Sequence, residues 1–160
     1  MRTLLLGLAL GVSLLFSPAG NDVDLERQKE QLLELHRRDL EAHLASNVDW
    51  LAGNTTEDFF SVANGEVHFP AHAEREEMFR GYLGRTTFTE YRDLQPPMVR
   101  ISRDGTLALM VVQVKAAGAQ RRPSGEDTPL EFVSAWAMLY EKSGGEWFRA
   151  GVVSTFAPPK

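Results

Sequence analysis

The sequence predicts an α+β domain in which a curved antiparallel sheet of about six strands wraps around a long N-terminal helix, with two further helices beside it. Three observations predict this. Leucines recur at helical spacing through residues 23–47. From residue 86 onward the chain turns to extended, β-forming segments separated by turn residues. Helices thus gather towards one end of the chain and strands towards the other, an α+β order, and a strongly twisted sheet can curl around a helix laid in its hollow.

The first segment is not counted in that domain. Residues 1–19 carry a cation at Arg2, an apolar run from Leu4 to Phe16, and small residues at Ser17 and Ala19. This is the three-part pattern of a signal peptide, and the run is shorter than the ~20 residues a spanning helix needs. An uncleaved anchor is the alternative; Pro18 and the polar Asn21-Asp22 favour cleavage near Ala19. The expected organisation is a signal peptide over 1–19 and one domain over 20–160. The expected localisation is exported, periplasmic or secreted, with membrane contact only through the signal segment before cleavage.

In residues 23–47, Leu25, Leu32, Leu33, Leu40 and Leu44 share one face, and charged residues such as Glu30, Glu34, Arg37 and Arg38 occupy much of the remainder. Asp22 or Asp24 can cap the start. His36 and His43 lie on the leucine side. Residues 48–53, VDWLAG, read as a short helix ended by Gly53. Asn64-Gly65 between two short apolar-rich runs predicts a tight hairpin, because both residues accept positive φ. Residues 71–83 read as a helix with Met78, Phe79, Tyr82 and Leu83 on its apolar side. Strands are expected over 86–94, 98–102 and 106–115, the last an apolar run suited to a sheet interior. Residues 116–129 read as a polar loop. Residues 131–141 alternate, with Phe132, Ser134, Trp136, Met138 and Tyr140 on one side. Ser143-Gly144-Gly145 turns the chain into a last strand over 146–156.

Composition removes several function classes. At 160 residues the chain favours one domain, with enough length for a real core. Hydrophobic residues at 43% and charged residues at 24% exclude a disordered or collagen-like chain. Losing residues 1–19 removes Arg2 and no acid, taking the formal charge from −5 to −6. That balance argues against nucleic acid as a partner. With no cysteine, disulfides, thiol catalysis and Cys-ligated zinc are excluded, and the fold must be held by packing.

This order of elements, with HLASNVDWLAG, TTEDFFSVANGEV, REEMFRGYLG and EFVSAWAMLYEKSGGEWFRAGVVSTF in sequence, resembles the nuclear transport factor two-like (NTF2-like) superfamily over about residues 24–156. It is most similar to the SnoaL-like and ketosteroid-isomerase-like branch. The resemblance implies a cone-shaped sheet with a pocket between it and the helices. It implies no single activity, since such proteins include isomerases, cyclases, dehydratases and assembly modules, and many pair through the outer sheet face. Several branches place ionisable residues in the final strand. Here Arg149, Gly151, Val153 and Thr155 alternate along one side of it.

Candidate site residues follow. His36 and His43 are the catalytic candidates, because imidazole titrates near neutral pH and serves as general acid or base. Two partly buried histidines bonded to backbone or a carboxylate are the simpler explanation of the same pair. Seven residues apart is too far for a helical metal pair, His68 and His72 supply no ligand spacing, and no metal or cofactor is expected. The acids that could themselves serve as the base, as the ketosteroid-isomerase resemblance implies, are Asp39, Asp58, Glu90, Asp93 and Glu131, none at a recognisable base position. Trp50, Phe59, Tyr82, Trp136, Tyr140 and Arg149 are the expected pocket residues, although packing alone also accounts for the aromatics. The expected function is an exported pocket domain for a small apolar or amphipathic molecule. The alternatives are an isomerase, cyclase or dehydratase using a pocket histidine as base, and a homodimeric interaction module.

Overall fold

The computed structural model describes residues 20–157, and side chains from Asp24 onward. The segment read as a signal peptide lies outside the described residues. The elements run α1 (Gly20–Leu44), α2 (Val48–Ala52), β1 (Thr55–Ala63), β2 (Glu66–His68), α3 (His72–Leu83), β3 (Thr86–Asp93), β4 (Met98–Ile101), β5 (Leu107–Arg121), β6 (Asp127–Ser143) and β7 (Glu146–Phe156). One curved sheet of seven strands has the order β2-β1-β7-β6-β5-β3, with β4 also paired to β5. It is mixed rather than wholly antiparallel, because β1 runs parallel to β7.

Local chemistry sets the punctuation. Asn64 and Gly65 both take positive φ, 53° and 82°, and close the β1–β2 hairpin. The Asn47 side chain accepts from the Trp50 backbone N–H at 3.0 Å and caps α2. Asp24 lies inside α1 and bonds Gln28 at 2.6 Å instead of capping it. The segment 116–129 is mostly strand: β5 continues through the small residues 116–119 to Arg121, and β6 begins at Asp127. Pairing of Ala116 with Phe132, of Gly118 with Leu130 and of Arg121 with Asp127 satisfies that backbone, so the loop shrinks to 122–126.

The core sits between α1 and the concave face of the sheet. Leu32, Val99, Ala108, Met110, Val112, Tyr140 and Trp147 form one half; Ala42, Leu51, Leu83, Phe88, Tyr91, Val114 and Ala116 form the other. In β5 the residues from Ala108 to Ala116 alternate, the even-numbered ones facing inward. Leu107 and Leu109 face outward and are 45% and 39% exposed, so the strand is buried on one face only. The inward stripe of α1 is more polar than its leucines suggest. Gln28, Leu32, His36, Asp39 and Ala42 are buried, whereas Leu44 is 46% exposed.

Bulges in β3 and β7 curve the sheet and reset its side-chain phase. In β3, Phe88 opposes Gly118 and Glu90 opposes Ala117, leaving Thr89 as an extra residue, so Phe88 and Tyr91 both face inward. In β7, Gly151 opposes Leu139 and Arg149 opposes Tyr140, leaving Ala150 extra. Strict alternation places Arg149, Gly151, Val153 and Thr155 on one side. The bulge instead follows inward Arg149 with Val152, Ser154 and Phe156, and turns Val153 out to 49% exposure.

Candidate ligand pocket

Between α1, α3 and the concave sheet face lies a cavity of about 370 Å³. That volume falls within the ordinary range for small-molecule sites. Phe59, Phe79, Tyr82, Phe132, Trp136 and Met138 supply much of its apolar wall. Met78 and Phe156 also line it and are 58% and 55% exposed, which marks the mouth. Asp39, Arg75 and Arg149 are buried and, with Thr55, form its closed end.

The closed end is built around the corner where α2 passes into β1. Arg149, held inward by the β7 bulge, donates to the Asp39 carboxylate, to Gly53 O at 2.7 Å and to Trp50 O at 3.2 Å. Asp39 Oδ1 also accepts from Trp50 Nε1 at 2.7 Å. Arg75, from the first turn of α3, reaches the same corner from the other side. It donates to Ala52 O at 3.4 Å, Pro70 O at 2.6 Å and Thr55 Oγ1 at 2.5 Å. One ring face of Phe59 lies 5.1 Å from its guanidinium carbon.

His43 stands on α1 one turn beyond Asp39. Its Nδ1 lies 2.7 Å from the Asp39 carbonyl oxygen, which can only accept, so Nδ1 carries the proton. Nε2 is then the bare nitrogen, and among the described residues it has no hydrogen-bond partner. The ring stacks on Tyr91 with centroids 4.1 Å apart and planes 14° from parallel. Burial pushes its pKa down, outweighing the opposing pull of its Asp39 backbone bond and the Asp39 charge. Burial also pushes the Tyr82 phenol up to about 12, and raises Tyr91 and Tyr140 further, with the Asp39 charge adding to both. These phenols therefore stay protonated at neutral pH.

The lowered His43 value has a consequence for stability. Below its ordinary value of 6.5 the unfolded chain binds a proton that the folded chain refuses. The stabilisation is complete above that pH and is lost as pH falls towards the folded-state value, at up to about 1.4 kcal/mol per pH unit. Unfolding free energies of wild type and His43→Gln, compared from pH 7.5 to 5, are expected to show the steeper fall in wild type. Parallel profiles would contradict a neutral buried imidazole.

Of the residues singled out from the sequence, His43, Phe59, Tyr82, Trp136 and Arg149 line the cavity. Trp50 lies behind it as the donor to Asp39, and Tyr140 is packed into the core at 1% exposure. His36 is turned elsewhere on α1: its Nε2 meets Asp93 Oδ1 at 2.8 Å, and its ring lies edge-on to Trp136. Of the five acids, Asp39 alone lines the cavity. Asp58 and Glu131 are exposed, Glu90 pairs with Arg92 and Lys115, and Asp93 holds His36. His68 pairs with exposed Glu66.

Arg75, Ser134 and Ser154 reach the cavity without having been singled out as pocket residues. For Arg75 a signal existed: it lies three, four and seven residues before Met78, Phe79 and Tyr82, on the apolar side of its helix. Ser154 had none, because the β7 bulge reverses its side.

No protein-family model and no curated protein matches the chain. Solved structures do. An NTF2-like superfamily protein from Salmonella enterica serovar Typhimurium superposes with a TM-score of 0.67 at 12% identity, covering 84% of this chain and 94% of that one. An NTF2-like protein from Cytophaga hutchinsonii gives 0.63 at 15% identity, covering 81% and 98%. An NTF2-like protein with a cystatin-like fold from Novosphingobium aromaticivorans gives 0.62 at 15% identity, covering 84% and 85%.

Proposed function

Because the chain has the NTF2-like fold, and a fold alone assigns no activity, we propose that it is an exported binding domain that holds a small apolar or amphipathic molecule in the cavity. The observation that carries this reading is the cavity itself: about 370 Å³, walled mainly by aromatic and apolar side chains, with its charged groups confined to the closed end. Such a division suits a ligand with one polar end. Export rests on the pattern of residues 1–19, and N-terminal sequencing of protein from the envelope or medium should read from Gly20. Only full-length chain in the cytoplasm would remove that half of the proposal.

A thermal-shift screen of the purified protein against small apolar and amphipathic compounds tests the binding reading. A ligand at one hundred times its Kd adds about 2.7 kcal/mol, a rise of several degrees in Tm. Ser154→Phe places a ring in the cavity from β7 and is expected to fold and lose the shift. A screen that stabilises neither protein, or both equally, would remove the reading.

One observation favours a second reading. His43 lines the cavity with its Nδ1 fixed on backbone, which leaves Nε2 as the unprotonated nitrogen. That is the form a general base needs at neutral pH. Were the protein an isomerase, cyclase or dehydratase, His43→Ala would lower turnover by about 10²–10⁴-fold at temperatures where the variant is still fully folded, beyond the stability lost with the ring stacked on Tyr91. An equal loss of stability and turnover would assign His43 to packing.

A further inference from the structure

Three charged side chains line the cavity: Asp39, Arg75 and Arg149. Arg149 and Asp39 neutralise each other in a buried ion pair. Arg75 is as deeply buried, at 4% exposure, yet its three hydrogen bonds go to Ala52 O, Pro70 O and Thr55 Oγ1, which are neutral oxygens. No carboxylate of the described residues forms an ion pair with it. His43 adds no charge of its own, being neutral, and the nearest acid on α3, Glu74, is turned to the Ala71 backbone N–H at 2.8 Å. The wall therefore holds one buried cation without its counter-ion.

A buried guanidinium without an anion is costly, and that cost is relieved by a charge supplied from outside. Arg75 can receive one. Guanidinium offers five N–H donors; the bonds to Ala52, Pro70 and Thr55 occupy three, leaving one on each terminal nitrogen. Two such N–H groups match the oxygens of a carboxylate. Above them, Phe59, Phe79, Tyr82, Phe132, Trp136 and Met138 offer a mainly apolar, uncharged surface to the rest of the molecule.

We propose that the cavity is built for an anionic amphiphile, a carboxylate on an apolar tail, with the carboxylate on Arg75 and the tail along the aromatic wall towards Met78 and Phe156. This rests on the binding reading above and narrows it to one chemical class. It also gives Arg75 a part beyond bracing the α2–β1 corner, a task that its three bonds to neutral oxygens would fulfil alone.

Titration calorimetry of the full chain with decanoate, decan-1-ol and methyl decanoate at pH 8 tests it. Decanoate is expected to bind at least tenfold more tightly than either neutral analogue. Arg75→Met should erase that preference while still binding decan-1-ol, and Arg75→Lys, which keeps the charge without the fork, should retain part of it. Equal affinity for decanoate and decan-1-ol in wild type would overturn the proposal and leave the binding reading standing. A preference that survives in Arg75→Met would overturn the assignment to Arg75. Failure of all three compounds to bind would count against the binding reading itself. Should Arg75→Met not fold, the wild-type comparison and Arg75→Lys decide the matter.

Discussion

Asp39→Ala is expected to destabilise the protein by about 3–5 kcal/mol, the usual cost of removing one partner from a buried ion pair. The Arg149 guanidinium is 4% exposed and would keep the neutral carbonyls of Gly53 and Trp50 as acceptors, with no carboxylate. Trp50 Nε1 would lose its acceptor as well. Because the pair joins α1 to β7 across the closed end of the cavity, its loss should also weaken ligand binding. Asp39→Leu with Arg149→Met removes both charges at similar volume and should recover much of the lost stability. Urea unfolding of the three proteins gives the comparison, read at constant m-value. An Asp39→Ala protein within 1 kcal/mol of wild type would show the pair to be solvated and the closed end open.

Gly118→Ala is expected to cost about 3 kcal/mol, at the upper end of the overpacking range. A Cβ there would lie 2.0 Å from Thr87 O and 2.9 Å from Phe88 Cα. Both are backbone atoms of the paired strand, so no side-chain rotation relieves the clash. β3 would have to move away from β5 beside the Thr89 bulge, shifting Phe88 and Tyr91, the partners of His43. Gly81→Ala is the contrasting case: nothing lies within 4 Å of its Cβ position in α3, and the change should stabilise by about 0.5–1 kcal/mol. Thermal unfolding of the two variants should move in opposite directions. A Gly118→Ala protein as stable as wild type would mean that the β3–β5 edge is pliable.

Much of the fold was legible because its signals are local. The amphipathic period of α1, the positive-φ demand of Asn64-Gly65 and the glycine turn at Gly144-Gly145 each act within a few residues. The extent of β5 was not, because Ala-Ala-Gly-Ala has little strand preference of its own and is held extended by its partners in β3 and β6. The site was legible in its residue types and only partly in its geometry. Phe59, Tyr82 and Trp136 suggested a cavity wall as aromatics on core-facing elements. Trp50 and Tyr140 carried the same signal and lie behind that wall, because depth along an element leaves no mark in the local pattern.

Residue periodicity and turn chemistry alone were sufficient for the α+β class, the order of elements and the presence of His36 and His43 on the inner side of α1, since each depends on neighbours close in the chain. Three features came from contacts between distant parts. The parallel pairing of β1 with β7 encloses the cavity, and the bulge at Ala150 keeps Arg149 inward while bringing Ser154 in and turning Val153 out. The partner of Arg149 is Asp39, 110 residues away. Among the described residues no such partner exists for Arg75. Whether a buried charge is neutralised depends on which side chains meet in space, and that is where the chemistry of this pocket is set.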